Sequence, residues 1–261
     1  MDVFLLCAGF GTRLKPLTNQ IPKCLAPIGD VPLLAIWLDS LSKLDFVSRV
    51  FINVHYLADQ VSDFLTQNTF GSDVELVVED SILGTAGSIR SQLARSTADE
   101  FLIIHGDNFS LQDFEDMYAL FANKAANEIL TGLALGFKTQ DYANCGFYSY
   151  EEKSRKITCF IEKPGYKVDG LANGAIFMMT RELLIKSLES SKGIDFCKDC
   201  LPSIIDHLYI SEATAPHVDI GLRSSLASVQ MYSDLFLEIV LDKKWHQAYL
   251  ARLSDSTLID Q

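Results

Sequence analysis

The stretch VFLLCAGFGTRLKPLT, residues 3–18, begins with an apolar run and continues directly into a glycine-containing turn. We predict a strand over residues 2–8, followed by a turn that contains Gly9 and Gly11. Glycine lets backbone N–H groups approach an anion closely, so a turn of this composition is typical of a phosphate-binding loop. The alternative interpretation is a purely structural connection between a strand and a helix.

Two familiar phosphate motifs do not match this turn. A P-loop requires Gly-Lys-Ser or Gly-Lys-Thr after four intervening residues, and the sequence contains neither triplet. The dinucleotide fingerprint requires a third glycine at the position of Leu14. Arg13, Lys15 and Lys23 are nevertheless opposed by a single acidic residue, Asp2, within the first 25 residues. This local positive charge favours a phosphate site over a turn with solvated cations.

Strand and helix patterns alternate along the first hundred residues. The predicted strands are 2–8, 49–54, 74–79 and 100–105, and the predicted helices start near Pro32 and cover 58–66 and 86–95. Such repeats predict an α/β fold of the Rossmann-like, doubly wound type. Its mostly parallel mixed sheet is flanked by helices, and ligands bind at the carboxyl ends of the strands.

Strands follow one another more quickly in the second half of the chain. We predict strands over 129–137, 146–150, 156–161 and 172–179, and helices over 181–188, 199–207 and 222–241. No repeat, low-complexity tract or Pro/Ser/Gly-rich linker divides the chain. We therefore expect one domain over residues 1–235 and a helical C-terminal tail over residues 236–261.

Charge and composition exclude several classes of protein. The 261 residues include 34 acidic and 22 basic side chains, and the net charge of −12 argues against a nucleic-acid partner, which requires a clustered basic face. Six scattered cysteines are too few for a disulfide framework. There is no apolar stretch of 18 residues and no basic region before the first apolar run. We expect a cytoplasmic protein without a membrane anchor.

Seven short motifs resemble, in order, the signatures of the sugar-1-phosphate nucleotidylyltransferases, and above all the short mannose-1-phosphate guanylyltransferases. The first is Gly9-x-Gly11-Thr12-Arg13-Leu14-x-Pro16-Leu17-Thr18, which Pro22-Lys23 and Pro32-Leu33 follow. The others are Leu83-Gly84-Thr85-Ala86-Gly87, Gly106-Asp107-Asn108, Glu162-Lys163-Pro164, Asn173-Gly174-Ala175-Ile176-Phe177, Asp199-x-Leu201-Pro202 and Asp219-Ile220-Gly221. The resemblance covers residues 3–221 and implies the nucleotide-diphospho-sugar transferase type of fold. Ala8 replaces the first of the usual paired glycines, and the bulky Phe10 lies within the loop.

The resemblance implies transfer of a nucleoside monophosphate from an NTP to a sugar 1-phosphate, with release of pyrophosphate. Arg13 would hold the β- and γ-phosphates and Lys23 the α-phosphate, so both would be catalytic. A forked guanidinium suits bridging phosphate oxygens, and a compact ammonium suits the α-phosphate. The other nucleotide-binding residues implied by the resemblance are Ala8, Gly9, Gly11, Thr12, Glu79 and Gly84.

A metal site and a sugar site follow from the same resemblance. Asp107 and Asp219 would share Mg²⁺, a hard cation that prefers carboxylate, phosphate and water oxygens. Lys163 would pair with the phosphate of the sugar. The hydroxyl groups of the sugar would bind Glu162 and Asn173, while Gly146 would let the backbone approach the ring.

Several motifs also have simpler interpretations. Asp107 follows a predicted strand, where an aspartate is often a helix N-cap or a turn former. Cys197-x-x-Cys200 lacks two further ligands at zinc spacing, so we interpret both as buried thiols. The histidines at predicted strand ends, His55, His105 and His217, are more often polar neighbours than bases. An ionised phosphate nucleophile requires no general base.

For the substrates we predict GTP and mannose 1-phosphate or a manno-heptose 1-phosphate, in the synthesis of nucleotide sugars for cell-surface polysaccharide. Uridylyl, thymidylyl or cytidylyl transfer to another phosphate is the alternative within the class. A glycosyltransferase is a second alternative, although the Asp-x-Asp motif expected of it does not occur at Gly106-Asp107-Asn108. A noncatalytic relative is the third. The apolar positions of 235–241 predict core packing or contact between copies in a homo-oligomer.

Overall fold

The computed structural model describes residues 1–255. The strands are β1 Asp2–Leu6, β2 Pro27–Ile28, β3 Val31–Pro32, β4 Arg49–Val54, β5 Asp73–Val78, β6 Glu100–His105, β7 Asn108–Ser110, β8 Gly132–Phe137, β9 Phe147–Tyr150, β10 Ile157–Ile161, β11 Leu171–Thr180, β12 Leu208–Glu212 and β13 His217–Asp219. The α-helices are α1 Leu33–Ser42, α2 Ala58–Gln67, α3 Gly84–Leu93, α4 Phe114–Ala125, α5 Arg181–Glu189, α6 Arg223–Val229 and α7 Lys243–Asp255. Three 3₁₀ turns, Thr12–Leu14, Leu17–Asn19 and Lys23–Leu25, follow β1.

The chain forms two compact units, each assembled from separate parts of the sequence. Unit 1 contains Met1–Phe4, Leu83–His105 and Ser110–His217. Unit 2 contains Leu5–Ile82, Gly106–Phe109 and the chain from residue 218 onward. The expected domain boundary at residue 235 stays a prediction.

Unit 1 is built on strand β11. This strand pairs antiparallel with β6, β8 and β9, while β9 pairs antiparallel with β10 and β8 pairs parallel with β12. Strand β6 has a continuous apolar run because both of its faces are covered, and Phe101 to Ile104 are all completely buried. Facing positions of β11, from Ile176 to Met179, are equally buried.

Unit 2 contains the parallel pair of β4 and β5, in register from Arg49 opposite Asp73 to Val54 opposite Val78. Helix α1 begins after Pro32, whose fixed φ suits a helix start, and seven of its ten residues are buried. Strands and flanking helices in this order confirm the predicted α/β fold with a mixed sheet.

Helix α7 packs within unit 2, close to the segment that follows Lys23. The Trp245 ring lies 4.9 Å from the ring of Phe64, and the Tyr249 hydroxyl donates a hydrogen bond of 2.8 Å to the carbonyl of Leu25. Of the helical tail predicted over residues 236–261, residues 243–255 are helical, residues 237–242 are not, and residues 256–261 lie outside the described residues. Self-association through the tail stays a prediction.

Two sequence-based helix assignments are wrong, and one helix was not predicted. The helix over 222–241 is interrupted: after α6 the chain turns into a 3₁₀ segment, because the Gln230 side chain bonds the backbone of Pro27 and Gly29. The helix over 199–207 is a π-helical turn, Phe196–Cys200, followed by 3₁₀ geometry. Helix α4 was not predicted, although Asp113 caps it by accepting hydrogen bonds from two backbone N–H groups.

Two expectations about the class of protein can be compared with the structure. Within residues 1–255, none of the helices combines the length and the apolar character that crossing a bilayer demands. All six cysteines are free thiols, and four of them, Cys7, Cys24, Cys197 and Cys200, are buried. The interpretation of Cys197 and Cys200 as buried thiols is therefore confirmed.

The contact of α7 with Leu25 predicts the effect of Tyr249→Phe. This change leaves a buried carbonyl without its donor, and we expect the free energy of unfolding to fall by about 1–2 kcal/mol. Urea denaturation measures it, with the exposed Gln247→Ala on the same helix as the control. Equal stability of Tyr249→Phe and the control would show that α7 is not held at this point.

Candidate active site

The glycine loop of unit 2 has a shape that only glycine permits at one position. Gly11 has a φ of +62°, and a Cβ atom there would lie 2.8 Å from Thr18 Cγ2 and 3.0 Å from Lys23 Cβ. The Thr18 hydroxyl donates a 2.8 Å hydrogen bond to the carbonyl of Gly11 and lies buried beneath the loop. The loop is thereby folded back onto the segment that carries Lys23.

The rest of the loop is open to solvent. Ala8 is buried, but Gly9, Thr12 and Arg13 are exposed, and a Cβ on Gly9 would meet no described atom within 4 Å. Phe10, 46% exposed, packs edge-on against the rings of His55 and Tyr56. The Arg223 guanidinium closes the loop by donating two hydrogen bonds, of 2.6 and 3.1 Å, to the Lys15 carbonyl.

Lys23 lies between two carboxylates from distant parts of the sequence. Its Nζ atom is 2.6 Å from Asp107 Oδ2 and 3.5 Å from Asp219 Oδ1, and only 10% of the Lys23 side chain is exposed. The Ile220 N–H donates a 3.0 Å hydrogen bond to the Asp107 carbonyl, which holds the two aspartates side by side. A nearly buried ammonium is stable there because both carboxylates compensate its charge.

Arg13 belongs to the same group of charges. Its guanidinium lies 3.8 Å from Asp219 Oδ2, and about half of each side chain is exposed. A Cβ on Gly221 would lie 2.6 Å from the Arg13 guanidinium, so the glycine provides the space in which it sits. The Gly221 N–H donates a 2.7 Å hydrogen bond to Asp219 Oδ1 and orients this carboxylate. Arg13, Lys23, Asp107 and Asp219 are therefore brought together as the sequence predicts.

The chemistry of these donors fits a hard divalent cation. Two carboxylates with partly exposed oxygens suit Mg²⁺, which usually takes one or two carboxylates together with water and phosphate oxygens. No group of three or more His, Cys, Asp or Glu side chains among residues 1–255 forms an all-protein metal cage. Oxygens of a bound phosphate group would therefore complete the coordination.

A buried polar network supports the loop from below. The Asn53 side chain accepts a 3.0 Å hydrogen bond from the Cys7 N–H and donates one of 2.8 Å to Glu79 Oε1. Asn53 and Glu79 are 1% and 5% exposed. The network links the ends of β1, β4 and β5, so the side chain of Glu79 is anchored and does not lie free at the surface.

A hydrogen bond with Cys24 and burial raise the pKa of the Cys7 thiol well above its usual value, which keeps the thiol neutral.

Unit 1 carries the residues predicted to bind the sugar. Glu162 Oε2 would lie 2.8 Å from a Cβ on Gly146, so the missing side chain leaves room for this carboxylate. Lys163 has a φ of +45°, and its ammonium lies 3.6 Å from Glu162 Oε1. The Asn173 N–H donates a 2.8 Å hydrogen bond to the Gly146 carbonyl. These four residues, Gly146, Glu162, Lys163 and Asn173, are therefore neighbours in the structure.

The remaining predicted residue of unit 1 is Gly84, at the start of α3. Its φ is +72°, and a Cβ there would collide with the backbone carbonyl of Ile194. Only glycine therefore allows residues 84–86 to lie against the segment around Ile194.

Sequence reasoning missed three supporting residues. Thr18 and Gly221 lie within recognised motifs, but their roles depend on contacts with Gly11 and Arg13 that no local pattern shows. Asn53 was read only as part of a strand. A polar residue in the middle of the apolar run of β4 was the signal for it, since a buried amide needs partners.

The model of the nucleotidyl transferase family matches residues 3–234. The chain belongs to this family. The matched range includes the four charged residues of unit 2, which are Arg13, Lys23, Asp107 and Asp219. It also includes the predicted sugar-binding residues of unit 1, which are Gly146, Glu162, Lys163 and Asn173.

Comparison with known proteins identifies relatives of low identity. A putative mannose-1-phosphate guanyltransferase of Sulfolobus acidocaldarius is 27% identical over 206 residues, which are 78% of this chain and 54% of that protein. The D-glycero-alpha-D-manno-heptose 1-phosphate guanylyltransferase of Campylobacter jejuni is 29% identical over 183 residues, 70% of this chain and 77% of that protein. The chain thus spans about half of the first relative and about three quarters of the second.

The fold is shared with a solved structure. A putative glucose-1-phosphate thymidylyltransferase of Bacillus anthracis, crystallised in complex with a sucrose, superimposes with a TM-score of 0.77 at 21% identity. The match covers 94% of this chain and 98% of that one. The nucleotide-diphospho-sugar transferase type of fold that the sequence predicts is therefore confirmed.

The hydrogen bonds of Asn53 beneath the glycine loop predict that two substitutions at this position change the stability of the protein in different ways. Asn53→Asp places a carboxylate 2.8 Å from that of Glu79, and because like charges repel, the pKa of one carboxyl rises above its unfolded value near 4. We expect Asn53→Asp to be less stable than the wild type. The difference in the free energy of unfolding between the two proteins should grow as the pH rises from about 4 to 7. Denaturation with urea at several pH values measures it.

Asn53→Leu is the matched control for this change. It removes the same hydrogen bonds without adding a second carboxylate, so we expect a loss of about 1–3 kcal/mol that depends on pH less steeply than the loss in Asn53→Asp. The explanation is wrong if the two variants show the same dependence on pH.

Proposed function

We propose that the chain transfers a nucleoside monophosphate, best GMP from GTP, to a sugar 1-phosphate and releases pyrophosphate. The observation that carries the proposal is the nearly buried Lys23 ammonium between Asp107 and Asp219, beside the exposed Arg13 and the open glycine loop. Membership of the nucleotidyl transferase family and the names of the relatives support the same activity.

The reaction exchanges one phosphorus–oxygen bond for another. A phosphate oxygen of the sugar 1-phosphate attacks the α-phosphorus of the NTP, and the bond from that phosphorus to the oxygen bridging to the β-phosphate breaks. Both reactants are anionic, so positive groups must hold them in line and take up charge on the departing pyrophosphate. No proton has to be removed from the nucleophile, because it is ionised at neutral pH.

The two cationic side chains suit different parts of the triphosphate. The Arg13 guanidinium is exposed and forms only a long ion pair, of 3.8 Å, with Asp219. Bidentate binding of the guanidinium to the β- and γ-phosphates would therefore break only this weak contact. The Lys23 ammonium is held on both sides and is nearly buried, which suits a fixed contact with the α-phosphate. Backbone N–H groups at Gly9 and Gly11 would approach phosphate oxygens from the open side of the loop.

Asp107 and Asp219 would hold Mg²⁺. The cation would neutralise charge on the phosphate oxygens and orient them. Lys23 pairs with both carboxylates in the structure, so it provides the positive charge that keeps them together before a cation arrives.

Unit 1 would bind the sugar 1-phosphate. Lys163 would pair with the phosphate, and the carboxylate of Glu162 would accept hydrogen bonds from the sugar hydroxyls. Asn173 would add a further polar contact beside Gly146. For the sugar we propose mannose 1-phosphate or a manno-heptose 1-phosphate, the substrates after which the relatives are named. The product would be an activated donor for polysaccharide synthesis.

A substrate matrix tests the proposed activity. The protein is incubated with MgCl₂, each of the common NTPs, and mannose, glucose and manno-heptose 1-phosphates, and the pyrophosphate and the product mass are measured. We expect pyrophosphate and a GDP-sugar of the manno series. Pyrophosphate with another pair would correct the base or the sugar, and none with any pair would contradict the activity.

Lys23→Ala is expected to reduce turnover by at least about 10²-fold, because one preorganised charge at the α-phosphate contributes roughly 3 kcal/mol. The rate of pyrophosphate release at saturating substrates measures it. Lys153→Ala, at an exposed position of unit 1, is the matched control and should retain the wild-type rate. A near-normal rate for folded Lys23→Ala would show that the mechanism is wrong.

Asp219→Asn is expected to raise the Mg²⁺ concentration required for half-maximal rate by about tenfold or more, since an amide oxygen replaces a charged ligand. A titration of the rate with MgCl₂ measures the shift. Asp234→Asn, which changes an acidic residue in the 3₁₀ segment of the same unit, is the control. An unchanged Mg²⁺ dependence would remove Asp219 from the metal site.

A further inference from the structure

Residues 193–197 of unit 1, which we call the linking segment, are bonded to the loop that begins α3. The Ala86 N–H donates a 2.9 Å hydrogen bond to the Ile194 carbonyl, and the Phe196 N–H donates one of 2.7 Å to the Thr85 hydroxyl. Gly84 lies against Ile194 so closely that a side chain would collide with it. The loop that carries Gly84, a residue that the resemblance implies in nucleotide binding, is therefore joined to the linking segment by two hydrogen bonds and a close backbone contact.

The other end of the linking segment is bonded to the sugar-binding residues. Asn173 Nδ2 donates a hydrogen bond of 3.4 Å to Cys197 Sγ, while Asn173 Oδ1 accepts one of 2.8 Å from the Ala175 N–H. These two bonds fix the plane of the amide. Burial raises the pKa of the Cys197 thiol to about 12, so the sulfur stays neutral near pH 7. Asn173 in turn bonds the Gly146 carbonyl through its own N–H.

The linking segment is short and is held at its base. Arg90 of α3 donates hydrogen bonds to the carbonyls of Leu188, Ser191 and Gly193, at 2.9, 2.6 and 3.3 Å. The Asp195 side chain accepts a hydrogen bond from the Lys198 N–H and so fixes the turn that contains Cys197. Only two residues separate Ile194 from Cys197. A displacement at one end of the linking segment is therefore transmitted to the other end, because little flexible chain lies between them.

We propose that the linking segment makes the two substrates bind cooperatively, with Thr85 and Cys197 as positioning residues. The inference rests on the proposed function. A nucleotide bound against Gly84 restricts the motion that remains in the segment, and Cys197 then holds the Asn173 amide in the orientation that the sugar 1-phosphate requires. The second substrate no longer has to order these groups, so each substrate binds more tightly when the other is present.

The chain offers matched variants at both ends. Thr85→Val keeps the shape of the side chain but removes the acceptor of the Phe196 N–H, whereas Thr85→Ser keeps the hydroxyl. Cys197→Ala removes the acceptor of Asn173 Nδ2, whereas Cys197→Ser provides an oxygen at nearly the same place. A residue needed only for folding would affect both substrates alike, so the difference between the separate and the joint affinities is the decisive quantity.

Isothermal titration calorimetry measures this difference. The dissociation constant of mannose 1-phosphate is determined with and without saturating α,β-methylene GTP, or with the corresponding pair found in the substrate matrix. We expect the nucleotide analogue to lower it about tenfold in the wild type, Thr85→Ser and Cys197→Ser. In Thr85→Val and Cys197→Ala we expect a change of less than about twofold. The reciprocal titration must give the same factor, because coupling between two ligands is symmetric.

The outcomes separate this inference from the proposed function. If the wild type makes no product with any pair, the proposed function fails. Two outcomes in an active wild type would overturn the inference. In the first, the nucleotide analogue lowers the dissociation constant of the sugar 1-phosphate as much in Thr85→Val as in the wild type. In the second, it leaves this constant unchanged in the wild type. In either case the linking segment does not couple the substrates. Thermal melting verifies that each variant is folded. Should Thr85→Val not fold, Cys197→Ala decides the question.

Discussion

The ammonium of Lys23 compensates two carboxylates that the fold brings to one place. Asp107 and Asp219 are 84 and 196 residues away from Lys23 along the chain, and they would repel each other without a cation between them. Lys23 is itself nearly buried, so its charge is stable only while both partners are present. This mutual dependence joins three segments of unit 2 around the ammonium of Lys23.

Close backbone approach is the second requirement, and glycine provides it. At Gly11 a side chain would collide with Thr18, and at Gly221 it would occupy the space of the Arg13 guanidinium. The first glycine shapes the loop, and the second leaves room for a charged group that would bind phosphate. In unit 1, Gly146 leaves room in the same manner for the carboxylate of Glu162. Gly146 and Gly221 of this chain thus lie where charged side chains need space.

Prediction from the sequence succeeded where the pattern is local. Strand β4 was predicted at its observed bounds, and β6 likewise, because a buried strand has a continuous apolar run between turn residues. It failed where distant contacts decide. Gln230 interrupts a pattern that reads as one long helix, because its side chain bonds backbone atoms about 200 residues earlier. The hydrogen bond between Asn53 and Glu79 was likewise not predicted, because the two residues are 26 positions apart in the sequence.

The sequence by itself determined the class of the chain and the kinds of side chain available: a glycine loop, two cations and two aspartates in an order typical of nucleotidyl transferases. Only the tertiary structure decided that Lys23 lies between Asp107 and Asp219, and that Cys197 is the acceptor for Asn173. The physical reason is that electrostatic and hydrogen-bonding energies depend on distances of a few ångströms between groups. Residues far apart in the sequence acquire such distances only when the chain has folded.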